Sequence, residues 1–199
     1  NFMFVAPSVV SRALAIGCLM ALASGCHYAF GPALRGNGVA KTEQRDVGPF
    51  TEIEVGGGMQ CDVTVGEAQS LTITADDNIL PLIRTEVSGE RLAIFVDASY
   101  STSIGVQIKA TVPELRELQG SGAAKTTVAG LAGKDFRLDL SGASTCQLKG
   151  DVSEFEAQLS GASHGDFVGS AEQLAIDCSG ASGVNAAEFP AENVVVSVS

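Results

Sequence analysis

The chain has 199 residues, enough for one domain with a sizeable core or for a closely joined pair. Its 23 glycines and low charge content suit short strands and many turns better than long helices. A net charge of −11, with no cluster of Lys and Arg anywhere, excludes nucleic acid as a natural partner, because a phosphate backbone would be repelled.

Residues 1–25 stand apart. They hold one basic residue, Arg12, no acid, and an almost wholly apolar run from Ala13 to Ala23. A short apolar core behind a basic residue, ending in small side chains, predicts a secretory signal peptide. It is shorter than the roughly 20 apolar residues of a comfortable transmembrane helix. The stretch ends Leu22-Ala23-Ser24-Gly25-Cys26, which resembles a bacterial lipobox with Ala23 where Leu is usual. Cys26 is therefore the candidate lipidation site, and several acyl chains on one residue would hold the chain firmly at a membrane. A plain signal cleaved nearby is the alternative. His27, rather than Asp, follows the cysteine, which resembles the outer-membrane default of Gram-negative lipoproteins. The expected location is the bacterial cell envelope at the outer membrane, reached by export.

Residues 26–41 lack periodicity and predict a flexible tether, with order beginning near Thr42. The domain proper is expected at 42–199, as an irregular β part, 42–113, followed by repeat coils, 114–199. In the first part Met59, Cys61, Val63 and Val65 alternate with polar residues, as do Leu71, Ile73 and Ala75, then Leu92, Ile94 and Val96, then Val106, Ile108, Ala110 and Val112. A period of two buries one face of a strand. Turn residues separate these runs, at Gly56-Gly57-Gly58, Gly66, Asp76-Asp77-Asn78 and Ser88-Gly89. A helical turn fits only Ile79 to Arg84, and Pro81 argues against it.

From Ser121 a motif repeats: Ser121-Gly122-Ala123-Ala124, Ser141-Gly142-Ala143-Ser144, Ser160-Gly161-Ala162-Ser163 and Ser179-Gly180-Ala181-Ser182. The copies recur every 19 to 20 residues. Fixed self-similarity at this period marks stacked supersecondary units. The residues between copies align as columns. Phe136, Phe155 and Leu174 form one, Leu138, Ala157 and Ile176 the next, and Leu140, Leu159 and Cys178 a third; Val128, Leu148 and Phe167 form a column after the turn. The pattern predicts an all-β fold, a parallel β-solenoid with coils of about 19–20 residues in the C-terminal half. The motif serines are read as corner residues, whose hydroxyls bond nearby backbone.

Four features in order resemble one known family. They are Arg45 to Val55 as an opening strand, the acidic segment Ala75-Asp76-Asp77-Asn78-Ile79-Leu80-Pro81, the approach Val112-Pro113-Glu114-Leu115-Arg116-Glu117-Leu118 before Ser121-Gly122-Ala123, and the later Ser-Gly-Ala-Ser copies. Together, over roughly residues 43–199, they resemble the auto-transporter adhesin head GIN domain, formerly a domain of unknown function. The resemblance implies a right-handed parallel β-helix in exported bacterial proteins, often lipoproteins. It supplies no established ligand, catalytic residue or metal, so no functional residue carries over.

No catalytic constellation is visible, and no enzyme is expected. There are two histidines, His27 beside the candidate anchor and His164 on a coil corner, and no GxSxG, HExxH or phosphate-binding loop. Asp76-Asp77-Asn78 offers too few oxygen ligands for calcium by itself, so no metal or cofactor is expected. Cys61, Cys146 and Cys178 form no CxxC pair and read as buried free thiols. Outward acids such as Asp139, Glu156 and Asp177 read as a solvated face, and the sequence singles out no ligand site. The expected function is a lipid-anchored envelope protein with a non-catalytic binding, adhesion or structural role. Its expected partners are the membrane, through the anchor, and a glycan or surface protein. Two alternatives stand beside it: a self-assembling scaffold, suggested by the apolar tail Val194 to Val198, and a polysaccharide-active β-helix enzyme.

Overall fold

The computed structural model describes residues 34–199. The expected signal peptide at 1–25, the candidate Cys26 and the first part of the expected tether lie outside the described residues. The fold is all-β. Its strands are β1 (Leu34–Arg35), β2 (Ala40–Gln44), β3 (Glu52–Val55), β4 (Gln60–Val65) and β5 (Ser70–Asp76). A 3-10 turn at Leu80–Leu82 leads into β6 (Ile83–Ser88), β7 (Arg91–Val96), β8 (Tyr100–Ser101), β9 (Gln107–Val112) and β10 (Glu117–Gly120). Three long strands follow, β11 (Lys125–Leu140), β12 (Thr145–Leu159) and β13 (His164–Cys178), then β14 (Gly183–Glu188) and β15 (Ala191–Val198). The segment from Ile79 thus makes only a single turn. Pro81 sits at its start, and by Ile83 the backbone is already extended.

The long strands pair in parallel at the offset of the repeat. Phe136 stands opposite Phe155, and Phe155 opposite Leu174; Val128, Leu148 and Phe167 are in register on the first half of the same strands. These side chains are buried, as the alternation requires. Phe155 gathers the ring core, its centroid 5.6 Å from Phe136, 4.9 Å from Phe167 and 5.6 Å from Phe189. The first repeat is one residue longer than the others because of a β-bulge. Lys125 pairs with Thr145, the register shifts between Ala129 and Leu131, and Leu131 pairs with Gly150. Gly130, the extra residue, has φ 73, a backbone angle that a Cβ penalises.

Each long strand crosses two faces of a curled sheet. Along one face the order is β6, β7, β3, β10, β11, β12, β13, β15; along the other it is β2, β5, β9, β4, β11, β12, β13, β14. The sheet curls into a half-barrel around one apolar core. The N-terminal strands supply rungs to the same ladders as the repeats. Ile53 of β3 stands between Leu92 and Leu118, and Cys61 of β4 between Ile108 and Thr126.

The segment expected as a tether, 26–41, needs correction over its described part. Leu34–Arg35 pairs with Tyr100–Ser101, and Ala40–Gln44 runs antiparallel to β5. The reason is a contact that its own pattern does not advertise. Asp76 is fully buried, and its carboxylate accepts hydrogen bonds from the Gly38 backbone N–H at 2.6 Å and from the Thr102 hydroxyl. The neighbouring Asn37 donates to Asp77, and Asn78 donates to the Arg35 carbonyl at 2.9 Å. An otherwise exposed strand is therefore clamped at its start by polar bonds to a buried carboxylate.

Cys61, Cys146 and Cys178 are free and buried. Cys61 and Cys146 flank Thr126 on either side. Two strand spacings, about 9.6 Å, separate them, too far for a bridge. Burial pushes both thiols up to about 12, so they stay protonated and behave as small apolar side chains.

Candidate functional site

Alternation sends every second residue of the shared ladder outward, and parallel register lines these residues up across strands. One outward row runs Glu54, Gln119, Asp139, Gln158, Asp177 and Ser197, each opposite the next. The neighbouring row runs Arg91, Glu52, Glu117, Arg137 and Glu156. Rungs about 4.8 Å apart give both rows a regular polar spacing.

The two rows hold each other in place. Arg91 reaches Glu52 at 3.0 Å and Glu117 at 3.2 Å, while Gln119 donates to Glu117. Arg137 reaches Asp139 at 3.0 Å and Glu156 at 2.9 Å, and Gln158 donates to Glu156 at 2.9 Å. The hydrogen bond to Asp139 raises the Arg137 pKa further, so the guanidinium stays charged. Such exposed pairs add little to stability. They do fix long side chains in one arrangement, which lowers the ordering cost of binding. Among the described residues Glu54 and Asp177 have no side-chain hydrogen bond or ion pair, so their oxygens are open to a ligand.

Beside the first row lies a groove of about 360 Å³, lined by Glu54, Asp139, Gln158, Asp177 and the motif serines Ser141 and Ser160 among others. The serines reach it because the corners stack. The Ala143 N–H bonds the Gly122 carbonyl, Ala162 bonds Gly142, and Ala181 bonds Gly161, each at 2.7 Å. The structural hydroxyls are not the ones that the motif's first position suggests. Ser144, Ser163 and Ser182, at the last position, donate to the carbonyls of Ser141, Ser160 and Ser179 at 2.8, 2.8 and 3.0 Å, and the first two are fully buried. The first serine of each copy is left with at most a long bond to backbone, as Ser160 to Leu140 at 3.4 Å, and lines the groove.

The other residues singled out by sequence lie elsewhere. His164 is exposed on its corner, with Nε2 3.5 Å from Asp166 Oδ1. The oxygens of Asp76 and Asp77 are spent on clamping Gly38, Thr102 and Asn37, which leaves little coordination capacity for calcium. Among the described residues no group of three or more His, Cys, Asp or Glu could hold a metal ion. The groove lining contains no histidine, cysteine or lysine. It offers carboxylates, amides and hydroxyls in rows, an arrangement equipped to form many parallel hydrogen bonds. Alternation within the repeat marks Asp139 and Asp177 as outward residues but not Glu54 or Gln119, whose place depends on pairing between β3 and β10.

A family model described as "Putative auto-transporter adhesin, head GIN domain" matches residues 49–199. No curated protein matches the chain significantly. Solved structures share the fold. A "putative adhesin" from Bacteroides fragilis is 20% identical with a TM-score of 0.78, over 83% of this chain and 79% of that one. Another from Parabacteroides merdae is 18% identical with a TM-score of 0.72, over 83% and 80%. A third, from Parabacteroides distasonis, is described as a "putative lipid binding protein". It is 18% identical with a TM-score of 0.59, over 83% and 81%.

Proposed function

The chain belongs to the auto-transporter adhesin head GIN domain family, and from that premise we propose that it is a non-catalytic binding module of the bacterial cell envelope. On this reading residues 1–25 direct export, Cys26 carries the lipid anchor, and the domain presents its outward rows to the surroundings from the outer membrane. The curled sheet is read as a right-handed parallel β-helix, a reading supported by the parallel offsets of 19 to 20 residues. Such a scaffold repeats one polar row at every coil, which suits an extended ligand better than a compact one.

The observation that carries the proposal is the pre-ordered groove of carboxylates, amides and hydroxyls. Sugar hydroxyls both donate and accept, so they can match this lining rung by rung; an acyl chain cannot. A glycan is therefore the ligand class we favour. A polysaccharide-active enzyme would need a base and a proton donor around a scissile bond. The groove does hold carboxylates, Glu54, Asp139 and Asp177, but no observation assigns two of them to those roles.

A glycan and matrix-protein array tests the proposal. The wild-type protein is expected to retain a set of glycans, and Asp177→Lys to weaken that binding at least tenfold while leaving the far-UV circular dichroism unchanged. Wild-type protein that retains no glycan, or a variant that binds as well, would sink the glycan reading; retention of a matrix protein alone would replace it with a protein ligand. The anchor has its own test. Radioactive palmitate is expected to label the wild-type chain in the membrane fraction, whereas Cys26→Ala remains unlabelled and leaves that fraction. Labelling that survives the substitution would refute lipidation at Cys26.

A further inference from the structure

The core columns of the long ladder do not end in the core. Leu92, Ile53, Leu118, Leu138, Ala157 and Ile176 are buried in register, and the next rung is Val196 of β15. Val196 is 59% exposed, Val194 55% and Val198 76%. These three occupy inward positions, opposite Ile176, Leu174 and Cys178, yet nothing among the described residues covers them. Val195, on the outward side, is 69% exposed. β15 pairs only with β13 among the described residues, so the backbone on its far side is open as well.

The opposite end of this face is protected. It closes with β6, antiparallel to β7, where Arg84 pairs with Asp97 at 2.9 Å and lies 3.7 Å from Glu86. Charges on an edge strand are a common block to pairing. From Asn193 to Val198, β15 carries no charge, no proline and no glycine. An apolar end at one pole and a charged end at the other disfavour head-to-tail growth. They favour like joined to like, which closes on itself about a two-fold axis.

We propose that β15 pairs antiparallel with β15 of a second copy, the two-fold axis passing beside Val196. The register follows from the sequence. Directly opposed residues in an antiparallel pair face the same side, so inward valines must meet inward valines. Centring on Val196 sets Val196 against its counterpart and Val194 against Val198 of the partner copy. Asn193 and Val195 then face Ser199 and Ser197 on the outside. Shifting the centre by one residue, to Val195, brings Glu192 opposite Val198. The register centred on Val196 instead sets all three inward valines against inward valines. A two-fold axis normal to the sheet also keeps both inner faces on one side, so the two cores join end to end. The pairing rests on the two ends of the ladder, β15 and β6, and is independent of the glycan reading.

Sedimentation and directed cross-linking of the full chain test it. The wild-type protein is expected to pass from monomer to dimer as concentration rises. Val196→Asp, which opposes two carboxylates at the axis, is expected to raise the dimer dissociation constant about 100-fold or more. Under mild oxidation Val196→Cys is expected to give a disulfide-linked dimer absent from the parent chain. Val194→Cys alone is expected not to, whereas Val194→Cys with Val198→Cys is. A wild-type chain that stays monomeric at the highest concentration reached would overturn the proposal. So would cross-linking by Val194→Cys equal to that by Val196→Cys, or a dimer broken by Arg84→Ala and untouched by Val196→Asp. The cysteine variants keep the test decisive even where the aspartate variant folds poorly.

Discussion

Gly161→Ala is expected to destabilise the protein by about 4 kcal/mol, and Gly57→Ala by only about 1 kcal/mol. The two glycines share a backbone conformation, with φ of 76 and 72, so each loses the same freedom on gaining a methyl group. They differ in what lies beneath. A Cβ at Gly161 would stand 2.5 Å from the Gly142 carbonyl oxygen and 3.2 Å from its nitrogen, whereas one at Gly57 meets nothing within 4 Å. The obstruction at Gly161 is backbone and cannot rotate away. It is also pinned, because the Gly142 carbonyl accepts the Ala162 N–H at 2.7 Å, the bond that carries the ladder through the corner. Relief requires the corners to separate, which breaks that bond and loosens the packing beside it. Urea denaturation of both variants at a common slope measures the difference. Equal losses would mean that the motif glycine serves only its turn and that close stacking of corners contributes nothing.

The same corners show where sequence reasoning reached and where it stopped. Phe136, Phe155 and Leu174 were legible as one buried column because copies of a single unit recur at a fixed offset. Alternation placed Met59, Cys61 and Val63 inward for a similar reason: a strand half buried in any partner keeps its period of two. What alternation cannot supply is the partner. Ile53 stands between Leu92 and Leu118, and no repeat links those three segments. The outward row was accordingly visible from Asp139 to Asp177, while its first two members, Glu54 and Gln119, were not. The motif serines illustrate a second limit. All of them can bond backbone, and only burial separates Ser144 and Ser163, which do so at 2.8 Å, from the first-position serines left facing the groove. The segment before Thr42 reads as loose for a third reason. The side chains of its described part, residues 34–41, are mostly exposed, and the bonds that hold it come from Asp76, far along the chain.

That carboxylate leads to the second large effect. Asp76→Ala is expected to cost about 2 kcal/mol, because it removes the fully buried acceptor that holds the Gly38 N–H and the Thr102 hydroxyl. Thr102 is itself part of a relay, accepting the Gly105 N–H at 3.0 Å, so the loss spreads to the loop that pairs with β1. Asp76→Asn is expected to recover about half, since one acceptor oxygen remains while the new amide faces a donor. The location sets a ceiling on the damage. Among the described residues β2 is an edge strand joined only to β5, and the released donors can regain water if the segment peels away. Hydrogen exchange should therefore separate the two routes. Amides of Ala40–Gln44 are expected to exchange much faster in Asp76→Ala, while those of β12 change only with global stability. If instead β12 and β2 accelerate together, the clamp is part of the common core, and the edge would owe its order to β5 rather than to Asp76. Gly161 has no such escape, since its corner is covered on both sides by bonded neighbours. A defect at the edge can be confined by local opening, but one within the stack must be carried by the whole ladder.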